Sequence, residues 1–135
     1  MSADCIFCKI VAGELPASVV HQDERTIAFM DINPAARGHL LVIPRAHAAD
    51  VLDIGAEDLA ACAQTARVLA ARVTERLGAD GVNLLQCTGA AAWQSVSHFH
   101  LHVIPRWAGD PLRPPWVVRP GDPDEIRATA KELAA

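Results

Sequence analysis

The 135-residue chain predicts an α+β fold with an antiparallel sheet, and three observations carry that prediction. Two β-rich runs near the start, 18–22 and 25–31, are separated only by Asp23-Glu24, the spacing of a hairpin. One long amphipathic helix stands mid-chain. The regular strand–helix alternation of a parallel βαβ fold is missing.

The elements follow in order. Asp4 is a candidate cap for a short helix over 5–11, with Gly13 as its stop. The hairpin comes next, then a loop at Asn33-Pro34-Ala35-Ala36-Arg37-Gly38, then a short buried strand over 39–44. A helix is predicted over 56–77, because Leu59, Cys62, Ala66, Leu69, Val73 and Leu77 recur at three- and four-residue steps and form one apolar stripe. Glu57 and Asp58 suit its positive end, and Arg72, Arg76 and Gly78 suit its finish. Residues 81–87 read as a strand, and a small-residue loop over 88–92 leads through Trp93-Gln94-Ser95-Val96-Ser97 into a last strand. Residues 106–121 are rich in Pro and Trp and read as surface chain. Asp122-Pro123-Asp124-Glu125 has the cap, N1 proline and acidic first turn of a final helix reaching about Leu133.

One domain, 1–135, is the expected organisation for this length. Apolar residues make up 51% and the net charge is −4, which argues against a nucleic-acid-binding surface but leaves room for a single nucleotide in a pocket. No apolar run is long enough for a membrane span. No basic-then-apolar leader is visible at the start, so cytoplasm is the expected location. Without such a leader, the four cysteines do not read as a disulfide framework. The Cys5-x-x-Cys8 pair reads as half of a tetrahedral zinc site, with two further ligands to come from the six histidines.

His98-Phe99-His100-Leu101-His102 carries the chemistry. On a strand, alternate side chains share a face, so Phe99, Leu101 and Val103 can enter a core while three imidazoles project the other way. Imidazole titrates near pH 6.5, so such a row suits metal binding or attack on phosphorus. A histidine nucleophile needs one unprotonated nitrogen toward the phosphorus and a hydrogen bond from the other to set the tautomer. Gly89 and the alanines after it would let the loop at 88–95 approach a phosphate closely.

The run from Gln94 to Arg106, with Cys5-Ile6-Phe7-Cys8-Lys9-Ile10, Phe29-Met30-Asp31-Ile32-Asn33-Pro34 and Gly38-His39-Leu40-Leu41-Val42-Ile43-Pro44, resembles the histidine-triad (HIT) nucleotide-binding family in matching order, which implies a domain core over about 4–107 with a C-terminal tail and helix over 108–135. The resemblance implies a HIT-like fold with a five-stranded antiparallel sheet, one long helix, a short N-terminal helix and a C-terminal helix per subunit, and a homodimer. It implies hydrolysis or transfer of nucleoside monophosphate groups, with purine nucleotides such as AMP or its phosphoramidates as ligands. By motif position His100 is the expected nucleophile, His102 the residue at the α-phosphate, and Ser95 a hydroxyl on the phosphate or leaving-group side. Asp31 is the expected ribose ligand, and Ile6, Phe7, Ile10, Ile32 and Leu41 the walls around the base. Gln94 and Cys87 are expected near the phosphate and His39 in support. The Cys-x-x-Cys resembles that of a zinc-bearing branch, which implies structural Zn2+ on Cys5, Cys8, His47 and His98. Two positions depart from the common pattern: Cys87 replaces an asparagine, and Trp93 replaces a glycine of the phosphate loop. Rival readings are a dinucleoside polyphosphate hydrolase, a nucleotide-binding interaction module with little turnover, and a catalytic tri-histidine zinc site.

Overall fold

The structure, a computed structural model, describes residues 4–134; Met1–Ala3, at the start that was read for a leader, and Ala135 lie outside the described residues. The elements are α1 (Ile6–Val11), β1 (Val19–Gln22), β2 (Thr26–Met30), β3 (Leu40–Pro44), α2 (Ala56–Leu77), β4 (Gly81–Gln86), β5 (Leu101–Arg106) and α3 (Pro123–Leu133). The five strands form one antiparallel sheet in the order β1-β2-β3-β5-β4. The α+β prediction therefore holds. Among the described residues β4 is an edge strand of the sheet, with Leu84 and Leu85 exposed.

The hairpin turn is built on one side chain. The Asp23 carboxylate accepts from the backbone N–H of Arg25 and Thr26 and from the Thr26 hydroxyl, and it bonds the His21 ring at 2.9 Å. These bonds, with His21 the largest contributor, hold the Asp23 carboxyl well below the usual carboxylate range.

Helix α2 matches its predicted span, and its stripe does what amphipathic spacing requires. Cys62, Ala66, Leu69 and Val73 pack on Ala28, Leu40 and Val42 of the sheet and on Phe99 and Val103. Leu59, at the outer limit of the stripe, stays partly exposed. A buried polar pair under the helix, Thr26 and Thr65, is satisfied hydroxyl to hydroxyl at 2.9 Å. Gly78 closes the helix in the left-handed region at φ 70°, and its N–H donates to the Thr74 carbonyl.

The opposite face of the sheet carries Ile27, Phe29, Leu41 and Ile43. It is covered only in part, by Phe7, Cys5 and Cys8 from the α1 segment. This incomplete cover leaves a concavity against the sheet.

Two local expectations are corrected. The cap of α1 is Cys5, not Asp4: the Cys5 sulfur accepts the N–H of Cys8 at 3.3 Å, the job a capping oxygen would do. The last strand begins at Leu101 rather than at His98. The reason is a side chain that takes the place of a backbone partner: the His98 ring bonds the Pro44 carbonyl at 2.8 Å, and the N–H of Phe99 reaches Ala48 instead of β3. The alternation of faces survives this break, since Phe99 and Val103 enter the α2 core while His102 lies beside Leu41 in the ladder.

Helix α3 is capped by Asp122 with Pro123 at its start, as predicted, and every residue of its span is exposed.

Candidate active site and metal centre

The partly covered face holds a cavity of about 330 Å³. Of the predicted site residues, Ile6, Phe7, Ile10, Asp31, Ile32, Leu41, Ser95, His100 and His102 line it. Its apolar walls come from α1 and β2–β3. Its polar groups gather at one side, a few placed among many apolar, as small-molecule sites require.

The protonation pattern of the histidines follows from partners whose roles are fixed. A carbonyl can only accept and an amide N–H can only donate. His100 Nδ1 stands 2.8 Å from the His98 carbonyl, so Nδ1 carries the proton and Nε2 is left with its lone pair. The Ala35 N–H donates to His39 Nδ1 at 2.9 Å, so the proton of neutral His39 is on Nε2. That nitrogen stands 2.9 Å from His102 Nδ1, which must then accept, placing the His102 proton on its own Nε2. Two adjacent imidazoles thus hold opposite tautomers: His100 offers a lone pair at Nε2 and His102 offers an N–H.

Burial keeps them neutral. Desolvation lowers the pKa of His100, opposed by its bond to the His98 carbonyl and by Asp31. For His102, burial and then the neighbouring His100 and His39 bring the pKa down to about 4. Burial also lowers His39, against the pull of Asp31. Asp31 sits half-way out, its Oδ1 accepting from the Asn33 N–H and its Oδ2 lying 3.4 Å from His39 Nε2.

Asp31, His39 and His102 are close enough together to suggest a metal set. The tautomers argue otherwise: a metal on His39 Nε2 would require Nδ1 to hold a proton, yet Nδ1 already faces a donor. His39 and His102 are a hydrogen-bonded pair, with the Asp31 carboxylate beside them.

The second cluster has the reverse character. Cys5, Cys8, His47 and His98 bring their ligand atoms within 4.8 Å of one another. Cys8 Sγ lies 3.3 Å from His47 Nδ1 and 3.5 Å from His98 Nδ1, and Cys5 Sγ lies 3.3 Å from His98 Nδ1. Sulfur and nitrogen on one tetrahedral zinc stand about 3.5 Å apart, so these four sit at ligand spacing. His98 is already in the liganding tautomer, because its Nε2 proton goes to the Pro44 carbonyl and frees Nδ1. The donor set fits zinc, and the same His98 that breaks the strand is the element linking this centre to the cavity.

Gln94 and Cys87, expected at the phosphate, do not line the cavity. Gln94 instead clamps the loop: its Oε1 accepts the Gly89 N–H, and its Nε2 donates to the carbonyls of Ala49 and Val96. Gly89 adopts φ 86°, ψ 153°, a region only glycine occupies freely. Cys87 is buried just past β4, and burial raises its thiol pKa. Sequence reasoning did not find Leu15, Pro16 and Ala17, the turn after α1 that walls one side of the cavity. Apolar residues in a turn were the available signal. The Ala35 N–H that sets the tautomer chain left none, since a backbone donor has no sequence mark.

The HIT domain family model matches residues 12–109. The chain is 38% identical over 132 residues to a Schizosaccharomyces pombe protein named adenosine 5′-monophosphoramidase hnt1, covering 97% of this chain and 96% of that one. Among solved structures it superposes on SMU.412c from Streptococcus mutans UA159 with TM-score 0.93 and 34% identity, over 98% of this chain and 85% of the other. It superposes on a Zn-bound histidine triad family protein from Mycobacterium smegmatis with TM-score 0.79 and 40% identity, over 96% and 95%.

Proposed function

The chain belongs to the HIT domain family, and from that premise we propose that it is a nucleotide hydrolase or transferase that cleaves at the α-phosphorus of nucleoside phosphoramidates through a nucleotidyl-histidine intermediate. The observation that carries the reading is the pair of opposite tautomers on His100 and His102 at the polar side of an apolar cavity. The S. pombe relative named as an adenosine 5′-monophosphoramidase supports the phosphoramidate class.

His100 Nε2 attacks the α-phosphorus. A P–N bond to the enzyme forms as the P–N bond to the leaving amine breaks. The positive charge that develops on the His100 ring is met by the His98 carbonyl at Nδ1. The His102 N–H donates to a non-bridging phosphate oxygen, so it opposes the charge that builds there. The amine departs on the Ser95 side with a proton supplied from solvent. Water then attacks the phosphorus, releases the nucleoside monophosphate and restores neutral His100. Asp31 serves the ribose hydroxyls as a two-oxygen acceptor, and Ile6, Phe7, Ile10, Ile32 and Leu41 enclose a purine.

Cys5, Cys8, His47 and His98 hold structural zinc in this reading. Bound there, zinc would cross-link α1 to the segment that carries the triad, while His98 keeps its carbonyl aimed at His100.

The test uses an adenosine 5′-phosphoramidate and follows AMP release. The expected result is turnover by the parent chain and a loss of at least a thousandfold in His100→Ala, with an adenylylated His100 peptide found by mass spectrometry after a rapid acid quench. Full activity in His100→Ala would sink the mechanism. Tight AMP binding with no turnover by the parent would favour the binding-module reading instead.

A further inference from the structure

Cys5 and Cys8 can bond each other as well as a metal. Their sulfurs lie within 4.8 Å, and the Cys5 sulfur already accepts the Cys8 N–H at 3.3 Å. The Cys-x-x-Cys spacing is one that closes a disulfide. The other two cysteines stand apart, Cys62 under α2 and Cys87 past β4. The pair is also within reach of solvent. A hollow of about 380 Å³ on the outer side of the cluster is lined by Asp4, Cys5, His47 and Ser95-Val96-Ser97, whereas Cys8 and His98 are buried and do not line it. A small oxidant therefore meets Cys5 first, with Cys8 placed as the resolving thiol.

The two bonds have opposite mechanical consequences. Zinc on all four residues ties α1 to His47 and His98, 39 and 90 residues from Cys8. A Cys5–Cys8 disulfide lies within one turn and ties α1 to no other element. It also removes both sulfur ligands, and two histidines fall short of the four ligands of a structural zinc site. The cavity depends on α1, because Ile6, Phe7 and Ile10 wall it. The Phe7 ring stands edge-on to Phe29 and His100, with centroids 5.3 and 5.2 Å apart. A six-residue helix does not hold its place without an anchor.

We propose that Cys5 and Cys8 form a peroxide-sensitive switch on the nucleotide cavity: oxidation closes the Cys5–Cys8 disulfide, removes the sulfur ligands from zinc and releases the α1 wall. The inference rests on the zinc allocation and the nucleotide reading above and adds regulation of that same site. Hydrogen peroxide is the oxidant. The Cys5 thiolate attacks one peroxide oxygen, the O–O bond breaks and hydroxide leaves, giving a Cys5 sulfenic acid. The Cys8 thiolate attacks Cys5 Sγ, the S–O bond breaks and a second hydroxide leaves. With two protons from solvent, two thiolates and one peroxide become one disulfide and two waters. The thiolates are oxidised and the peroxide is reduced.

The experiment treats the reduced, zinc-loaded parent and Cys5→His with hydrogen peroxide. A chromogenic chelator follows zinc release, peptide mass mapping reads the thiols, and calorimetry measures AMP affinity. Expected for the parent are release of its zinc, a Cys5–Cys8 disulfide, and AMP binding about tenfold weaker, the result of α1 docking in only about one molecule in ten. A thiol reductant with added zinc restores the affinity. Cys5→His offers a nitrogen ligand in place of sulfur and leaves Cys8 no partner at the turn, so it is expected to keep its zinc and its AMP affinity at the same dose. Zinc retained in the treated parent with both thiols unpaired would overturn the switch. So would zinc release with AMP affinity unchanged, or an equal loss of affinity in Cys5→His. A reduced parent that binds AMP but takes up no zinc would overturn the zinc allocation and the switch while the nucleotide reading stands. A parent that holds zinc but binds no AMP would overturn the nucleotide reading and the switch with it.

Discussion

At the scale of the residue, the chemistry of the site is a matter of which nitrogen carries a proton. His39 does not line the cavity, but it relays a choice made by the Ala35 N–H to His102. Removing it frees His102 to take either tautomer. His39→Leu is therefore expected to lower kcat about tenfold, the worth of one oriented hydrogen bond, with KM changed less. His39→Gln keeps a side-chain donor and should recover part of the loss. Steady-state kinetics of the two variants check this, and equal kcat in His39→Leu and the parent would refute the relay. The triad was legible as residues because period-two alternation separates apolar from imidazole side chains in any extended chain. The division of labour within it was not, because carbonyls and amides that set tautomers come from residues 35, 44 and 98 with no pattern in sequence.

Among elements, α1 is the one that cannot stand alone. Six residues are too few for a stable helix, and only Phe7 and Cys8 within it are buried. Its attachment depends on Phe7 in the sheet-face cluster and on the Cys5–Cys8–His47–His98 cluster. Cys8→Ser is expected to lose bound zinc and to lower the melting temperature by roughly 10 °C or more, since metal binding and folding are linked. His100→Ala should keep its zinc. Elemental analysis beside thermal melts reads both, and retention of stoichiometric zinc by Cys8→Ser would refute the allocation. The contrast with α2 is instructive. Twenty-two residues with a regular apolar stripe declare their own span, since the periodic face and the caps are local signals. The start of β5 was misplaced for the opposite reason: the chain there still reads as strand, but the His98 side chain has taken the Pro44 carbonyl.

For the whole molecule, burying neutral imidazoles costs stability in acid. In the unfolded chain these groups titrate near 6.5, whereas His39 and His102 are lower in the fold, His102 at about 4. Below pH 6.5 the unfolded state takes up protons that the folded state refuses. Stability is thus full above pH 6.5 and falls as pH drops toward 4, by on the order of 3 kcal/mol for His102 alone at the end of that window. Asp23, depressed by its hairpin bonds, adds a loss that begins only below about pH 4, where its unfolded counterpart would protonate. Urea midpoints at pH 7.5, 6, 5 and 4.5 are expected to fall monotonically. A flat series would show that the imidazoles are not held neutral.

What sequence alone determined is everything carried by local period and by order along the chain. The α+β class, the α2 span with its core stripe, the capped α3 and the identity of the histidine run all belong there. Each rests on contacts within a few residues or on side-chain periodicity. Tertiary structure decided what depends on distant partners: the cavity between α1 and the sheet, the gathering of Cys5, Cys8, His47 and His98, and the placement of Gln94 as a clamp. Hydrogen bonds spanning 45, 54, 63 and 93 residues run through these features. No window along the chain contains both ends of such a bond, so only the folded arrangement can specify which groups meet.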